Sequence, residues 1–281
     1  MTETDPTTRA RSRVWRAAYL SAMLILTLIV GSSTLDTVAG GSVAGWFGRN
    51  SEAWVLALLI PLQWELFASR FDPHVPVAGA EARFRSRLPV AIWLLAMLAA
   101  TIVLQTDSFA STVGMPSRFV TWGEAFLATA VVTLYLAWSR GYLGSREPNG
   151  IGHRGGAPTK GAKERLLFYL VLVLYALVAY SDLEVGWLRQ NAEAHAAMLI
   201  IPLWFDVVAP HRWVRSLVVH VAWYTFLIAV PLIASSEVFE RGVFVGSAFE
   251  SASIWLGRTT EAYLAGALIS TYFWVWRRGG P

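Results

Sequence analysis

Two carboxylates and one histidine are the side chains of this sequence best placed to do chemistry inside apolar stretches. Glu65 follows the run LLIPLQW, and Asp206 follows the similar run LIIPLWF. His220 lies five residues beyond Arg215 in another apolar run. Ionisable groups in such runs are costly to bury, so they are the first candidates for a functional site. We expect Glu65, Asp206 and His220 to form one layer that binds a cation or relays protons.

A structural alternative exists for the same residues. From the helix rise, each group lies within about 8 Å of the inner end of its helix. At that depth the carboxylates could reach water, or pair with Arg70 and Arg212. A salt bridge at the inner surface, present in two copies, therefore also accounts for Glu65 and Asp206.

A second pair of acids, Glu52 and Glu193, lies in the segments NSEA and NAEA at the outer ends of two apolar runs. Acidic side chains are favourable in the first turn of a helix. The preceding Asn50 and Asn191 fit N-cap positions. The pattern is therefore explained by helix starts, and the two glutamates are secondary candidates for a binding site.

A third acidic pair, Glu124 and Glu261, begins the segments EAFLATAVVTLYLAWSR and EAYLAGALISTYFWVWR. Helix starts again explain both residues. Together, the segments that we assign to the outer side carry eleven acids and five arginines. This excess of acidic residues predicts an electronegative vestibule that concentrates cations. Alternatively, the acids are only what remains on the outer side when selection places basic residues in the inner segments.

The elements that must position these residues are apolar helices. The chain has 281 residues, of which 55% are hydrophobic and only 15% charged. A helix needs about 20 largely apolar residues to cross a bilayer. The sequence predicts an all-α integral membrane protein with eight transmembrane helices. They span residues 14–33, 53–71, 88–105, 119–138, 165–181, 194–209, 214–234 and 259–276. The alternative is six or seven spans, with the second or sixth run, each of which carries a carboxylate, re-entrant.

The distribution of basic residues sets the direction of the spans. With the amino terminus inside, the inner segments hold 18 of the 23 Lys and Arg residues, and the outer segments hold five. Cytoplasmic segments of membrane proteins are enriched in these residues. We therefore predict that both termini lie inside, that residues 1–13 form a cytoplasmic tail, and that the protein is a multi-pass protein of the cell membrane.

The chain resembles itself across its two halves. GWFGRNSEAW (45–54) and GWLRQNAEAH (186–195) share five of ten residues at an offset of 141. The segments that begin at Glu124 and Glu261 share seven of seventeen at an offset of 137. We predict two parallel four-helix repeats, 14–141 and 164–281, joined by a flexible basic Gly-rich linker at 142–163. Because each unit has an even number of helices, the axis relating them lies along the membrane normal.

Several chemistries find no support in the sequence. There are no cysteines, and the two lysines, Lys160 and Lys163, both lie in the linker. No metal-binding, haem-binding or phosphate-binding motif is present, so we predict no cofactor and no metal. The 14 Trp residues, many near span ends, fit anchoring at the membrane interface. The expected partners are the lipid bilayer and either further membrane subunits or copies of the chain, but not nucleic acid.

Three classes of function remain open. The first is a small transporter or channel for a cation or cationic solute, with a path between the two repeats. The second is a non-catalytic membrane subunit or scaffold of a larger respiratory or photosynthetic complex, which short loops and many Trp residues also fit. The third, an intramembrane enzyme using Glu65, Asp206 and His220, ranks lowest, because no catalytic motif supports it.

Overall fold

The computed structural model describes residues 6–31, 47–48, 50–67, 80–106, 117–139, 162–180, 191–208, 213–234 and 259–278. Within these ranges the protein is all-helical, with eight helices and no strand. They are α1 Pro6–Gly31, α2 Ser51–Phe67, α3 Ala80–Gln105, α4 Ser117–Ser139, α5 Ala162–Tyr180, α6 Ala192–Leu203, α7 Trp213–Ala234 and α8 Thr260–Arg278. Each predicted span overlaps one of them, so the all-α class and the eight helices are confirmed, whereas eight crossings of a membrane stay a prediction.

Four helices form the centre of the protein. We call α1–α4 the first half and α5–α8 the second half. Helices α2, α4, α6 and α8 pack on one another, with α2 against both α4 and α8, and α6 against both α4 and α8. Helices α1, α3, α5 and α7 lie outside them and pack mainly on α2, α4, α6 and α8 respectively. If each helix of the first half is exchanged with the corresponding helix of the second half (α1 with α5, and so on), the main helix–helix contacts stay the same.

The burial pattern follows this division into central and peripheral helices. Nearly all of α2 is buried, as expected for a helix that is apolar on every face. The peripheral helices instead expose large apolar side chains, among them Leu28 on α1, Leu95 on α3, Leu174 on α5 and Val218 on α7. In the described ranges, two helices are long and apolar enough to cross a membrane, over Arg13–Gly31 and Leu88–Gln105. Such apolar outer surfaces are compatible with contact to lipid.

A proline lies within each of the two central helices α2 and α6. Proline removes a backbone donor and frees the carbonyl four residues earlier. Helix α2 continues as an α-helix beyond Pro61 to Phe67. Helix α6 instead widens after Pro202 into a π-helical turn, Trp204–Val208. Asp206 lies in that turn. Helical turns of this kind occur often at functional sites.

Aromatic side chains fill the space between the two halves. The ring of Trp64 from α2 stacks on Phe205 with centroids 5.4 Å apart and meets Phe273 of α8 edge-on at 5.1 Å. Trp204 contacts both phenylalanines from the second half. All four rings are buried. Because Trp64 comes from the first half and the others from the second, this aromatic cluster joins the halves through apolar contact.

Candidate functional site

We use "inner end" and "outer end" for the ends of the bundle that the charge distribution assigns to inside and outside. At the inner end, Glu65 of α2 is held by two side chains. Arg16 of α1 donates from Nη1 to Glu65 Oε1 over 2.6 Å. The hydroxyl of Tyr272 on α8 donates to the same oxygen. Glu65 is therefore tied to its own half by Arg16 and to the other half by Tyr272.

Asp206 occupies the corresponding place in the second half. Arg165 of α5 donates from Nη1 to Asp206 Oδ1 over 3.1 Å. The hydroxyl of Tyr169 donates to Oδ2 over 2.9 Å, and the hydroxyl of Tyr135 on α4 donates to the same atom. Both oxygens of Asp206 thus accept hydrogen bonds, and Tyr135 comes from the first half.

These two inner clusters are built on one plan. Each has an arginine from the first helix of its half, a carboxylate from the second helix, and a tyrosine from the last helix of the other half. Tyr135 and Tyr272 stand at matching places in the two similar segments, at the offset of 137. Each tyrosine therefore donates from one half of the protein to the carboxylate of the other half. Two equivalent hydrogen bonds thus join the halves at the inner end.

The structure brings together only some of the residues that the sequence singled out here. Glu65 and Asp206 lie in separate clusters, each with its own arginine. His220 is half-buried on α7. Arg70 and Arg212, the partners considered from the sequence, lie outside the described residues. Salt bridges are present, but they come from α1 and α5.

At the outer end, glutamates reach the first turns of neighbouring helices. Glu261 accepts hydrogen bonds from the backbone N–H groups of Glu52, over 3.0 Å, and Ala53 at the start of α2. Glu193 accepts from the N–H groups of Ala262, over 2.8 Å, and Glu261 at the start of α8. The first four N–H groups of a helix have no partner within the helix. Each glutamate therefore supplies acceptors that the next helix lacks.

Glu124 completes the described set by accepting from the N–H groups of Glu193 and Ala194 at the start of α6. Two of these three connections, from Glu124 and from Glu261, cross between the halves. Glu52 itself is only 4% exposed. The four glutamates proposed as secondary candidates thus lie close together. Three of them, Glu124, Glu193 and Glu261, accept hydrogen bonds from backbone N–H groups at the starts of neighbouring helices.

The expected helix start at Asn191 is confirmed in position, because Asn191 occupies the N-cap position of α6, but its side chain makes no capping hydrogen bond. Its Oδ1 accepts instead from Gln105 Nε2 of α3 over 2.7 Å. The glutamates were expected to favour the starts of their own helices, whereas Glu193 accepts hydrogen bonds from N–H groups at the start of α8. Local sequence cannot show this, because the acceptor and its donors are far apart in the chain.

A buried polar group that sequence reasoning missed lies in the first half. Gln63 of α2 is 0% exposed. Its Oε1 accepts from Trp93 Nε1 of α3 over 3.2 Å and from the hydroxyl of Thr133 on α4. Its Nε2 is buried and has no hydrogen-bond partner among the described residues. Such a group carries a desolvation cost until something accepts its hydrogen bonds.

The second half fills the same place differently. Trp223 of α7 lies 130 residues beyond Trp93 in the chain and donates over 3.0 Å to Ser270, which matches Thr133 at the offset of 137. The residue that matches Gln63 at the offset of 141 is Trp204, whose ring packs in the aromatic cluster. The buried amide therefore has no counterpart at the matching position of the second half. A glutamine between apolar residues and two residues before Glu65 was the available signal.

The described residues contain no group of three His, Asp or Glu side chains that could hold a metal ion. His195, which stands near the outer carboxylates in the sequence, is 1% exposed and meets the ring of Tyr175 edge-on at 4.0 Å. Its Nδ1 has no described hydrogen-bond partner.

Comparison of this chain with protein-family models, with curated proteins and with solved structures gave no match.

Proposed function

We propose that the protein is a small membrane transporter, with eight transmembrane helices in two parallel repeats, that moves a cation or a cationic solute. The exposed apolar faces of the peripheral helices support the embedding in lipid. The exchange of halves that preserves the helix pairings supports the repeat. Polar contacts between the halves are found at both ends of the bundle, as expected for a carrier that opens alternately to either side.

The observation that carries the proposed pathway is the unused donor of Gln63, whereas the preference for a cation is supported by the carboxylates at the two ends. A polar group in the interior of a membrane bundle is costly, and such groups commonly mark a substrate pathway. The amide N–H groups of Gln63 can donate to an oxygen of the solute or of its accompanying water. Thr129 and Thr133 of α4 are also 0% exposed and extend this polar strip from Gln63 towards the outer end.

The carboxylates at the two ends fit roles as gates. At the inner end, separating the halves breaks the contacts of Tyr272 with Glu65 and of Tyr135 with Asp206. At the outer end, it breaks the contact of Glu261 with α2. A cation that enters from either side meets a carboxylate first. At the inner end, the cation would replace Arg16 as the counter-ion of Glu65, or Arg165 as the counter-ion of Asp206. The side chains of both arginines are partly exposed.

Flux into proteoliposomes tests the proposal. We expect wild type to move one member of a panel of inorganic cations and small organic amines under an imposed gradient. Gln63→Leu, and the pair Glu65→Gln with Asp206→Asn, should abolish that flux while the protein stays folded by size-exclusion chromatography. Glu164→Gln is the matched control, because it neutralises an exposed carboxylate on α5. Absence of flux for every compound, or flux that survives Gln63→Leu, contradicts the proposal.

The topology has its own test. A reporter that is active only in the cytoplasm should be active when it is fused after Pro281, because the basic residues favour an inner carboxy terminus. A reporter that is active only after export serves as the reverse control. Activity of the exported reporter alone would mean that the number or direction of the spans is wrong.

A second candidate function is supported by the aromatic cluster. Trp64, Phe205 and Phe273 pack tightly between the halves and give the central helices a fixed arrangement. A rigid core with apolar outer faces suits a scaffold subunit of a larger membrane complex. Purification from native membranes in a mild detergent discriminates between the two. A scaffold should elute with stoichiometric partners, and a carrier should elute without them.

A further inference from the structure

We propose that the side of the protein where α1 and α7 flank α8 binds an anionic phospholipid of the inner leaflet. Its phosphate would lie at Arg13 and Arg16, and its ester carbonyls at a group of hydroxyls from Tyr19, Tyr224 and Thr271. We call these five residues the lipid site. The inference rests on the proposed membrane embedding, but not on transport.

The charge at the lipid site favours an anion. Arg13 is exposed, and Arg16 lies one turn further along the same side of α1. Arg16 uses Nη1 for Glu65, whereas its Nε has no described partner. Two arginines and one carboxylate leave one positive charge at this place. A phosphate diester neutralises that charge, and basic pockets of this kind on the cytoplasmic side bind anionic head groups.

The hydroxyls lie at the depth of the ester groups. Tyr19 is three residues beyond Arg16, which is about 4.5 Å deeper along the helix. Its hydroxyl has no described hydrogen-bond partner, and it lies near enough to Tyr224 for electrostatic interaction. Thr271 donates its hydroxyl proton to the carbonyl oxygen of Ala267 over 2.8 Å, so Tyr224 is the donor in its 3.1 Å hydrogen bond with Thr271 at the protein surface. An ester carbonyl would accept the Tyr224 proton in place of Thr271. In a phospholipid, the ester carbonyls likewise lie just below the phosphate and accept hydrogen bonds.

The other half lacks this polar surface. At the matching offsets, Leu94 replaces Tyr224 and Leu134 replaces Thr271, and Leu134 is 47% exposed. A surface that meets only acyl chains needs no hydroxyls, because exposed polar groups are costly in hydrocarbon. The difference between two otherwise similar surfaces points to a specific occupant on one of them.

Apolar side chains continue the site away from the inner end. Val221 and Ile228 of α7, and Leu24 and Ile25 of α1, are exposed on the two flanking helices. Acyl chains can lie along them. Because Arg16 Nε and the Tyr19 hydroxyl are covered by neighbouring atoms, head-group binding requires a rotation of these two side chains.

Native mass spectrometry and thermal unfolding of the detergent-purified protein test the lipid site. Phosphatidylglycerol, phosphatidylcholine and inorganic phosphate are the three probes. We expect phosphatidylglycerol to bind and raise the melting temperature, with about fivefold weaker binding of phosphatidylcholine, as expected for one net positive charge at the site. Equal binding of the two lipids overturns the proposal, as does competition by inorganic phosphate, which would indicate a free-anion site.

Variants localise the effect. Arg13→Gln should weaken phosphatidylglycerol binding about fivefold, and Tyr224→Phe about threefold. Tyr19→Phe is nearly isosteric and removes the one hydroxyl of the lipid site that has no described partner, and it serves as the second variant should Tyr224→Phe unfold the protein. Tyr175→Phe on α5 is the matched control and should have no effect. Unchanged affinity in both Arg13→Gln and Tyr19→Phe overturns the proposal. Binding without flux would leave this inference intact and remove only the transport function.

Discussion

The connection from Glu193 to α8 gives the sharpest test of how the outer end is held together. Glu193→Ala removes the acceptor of two backbone N–H groups, those of Ala262 and Glu261. These donors lie among buried residues, and Ala262 is 0% exposed. Leaving a buried donor without a partner costs about 1–3 kcal/mol. We therefore expect Glu193→Ala to lower the free energy of unfolding by about 2–5 kcal/mol.

Two controls separate this effect from that of a charge near a helix start. Glu193→Gln keeps an acceptor oxygen, and we expect it to cost less than about 1 kcal/mol, the usual size of a helix-dipole contribution. Glu164→Ala removes a first-turn glutamate of α5 that is exposed, and it should also cost below about 1 kcal/mol.

The measurement is reversible unfolding in mixed detergent micelles, followed by the fluorescence of the Trp residues. If Glu193→Ala and Glu164→Ala lower the free energy of unfolding equally, within about 0.5 kcal/mol, Glu193 does not stabilise the start of α8 and the reasoning is refuted. The carboxyl group would then act only on its own helix, as the sequence pattern suggested. A large loss in Glu193→Gln as well would show that the charge, rather than the acceptor oxygen, is what α8 requires.

Two further predictions concern packing between helices. Tyr272→Phe and Tyr135→Phe each remove a hydrogen bond to a carboxylate, and each should lower the free energy of unfolding by about 1.5–3 kcal/mol; equal stability of wild type and both variants would mean that the inner connection contributes nothing. Gly266→Ala should cost about 1–3 kcal/mol through overpacking, because an added Cβ would lie 2.7 Å from Ile200 Cγ2. In Gly48→Ala the added Cβ meets nothing within 4 Å, so this variant is the control in the same unfolding assay; similar losses in both variants would contradict the packing argument.

The sequence alone determined the helices. Each apolar run is long enough to specify a helix. Such a run forms a helix whether it packs inside the protein or faces lipid, so its secondary structure does not depend on which neighbours it meets. The sequence also singled out Glu65 and Asp206 as carboxylates near the ends of apolar helices, and their role in a binding site stays a prediction. That the halves are copies stays a prediction from the sequence.

The partners of these groups were decided by the tertiary structure. Tyr272 is 207 residues away from Glu65 in the chain, and Glu261 is 209 residues away from the N–H group of Glu52. Helical periodicity fixes which residues share a face of one helix. It does not fix the rotation of that helix against its neighbours. Arg16 could be counted as an inner arginine from the sequence, but its pairing with Glu65 depends on how α1 lies against α2.

Gln63 shows the same limit most clearly. One polar residue in a run of apolar ones does not change the prediction of a helix, and the sequence does not tell whether it faces lipid, water or a neighbouring helix. Packing against α3 and α4 buries it completely and occupies its carbonyl oxygen, but not its amide nitrogen. The candidate site thus arises from three helices meeting at one side chain, because burial is a property of the assembled bundle rather than of any single helix.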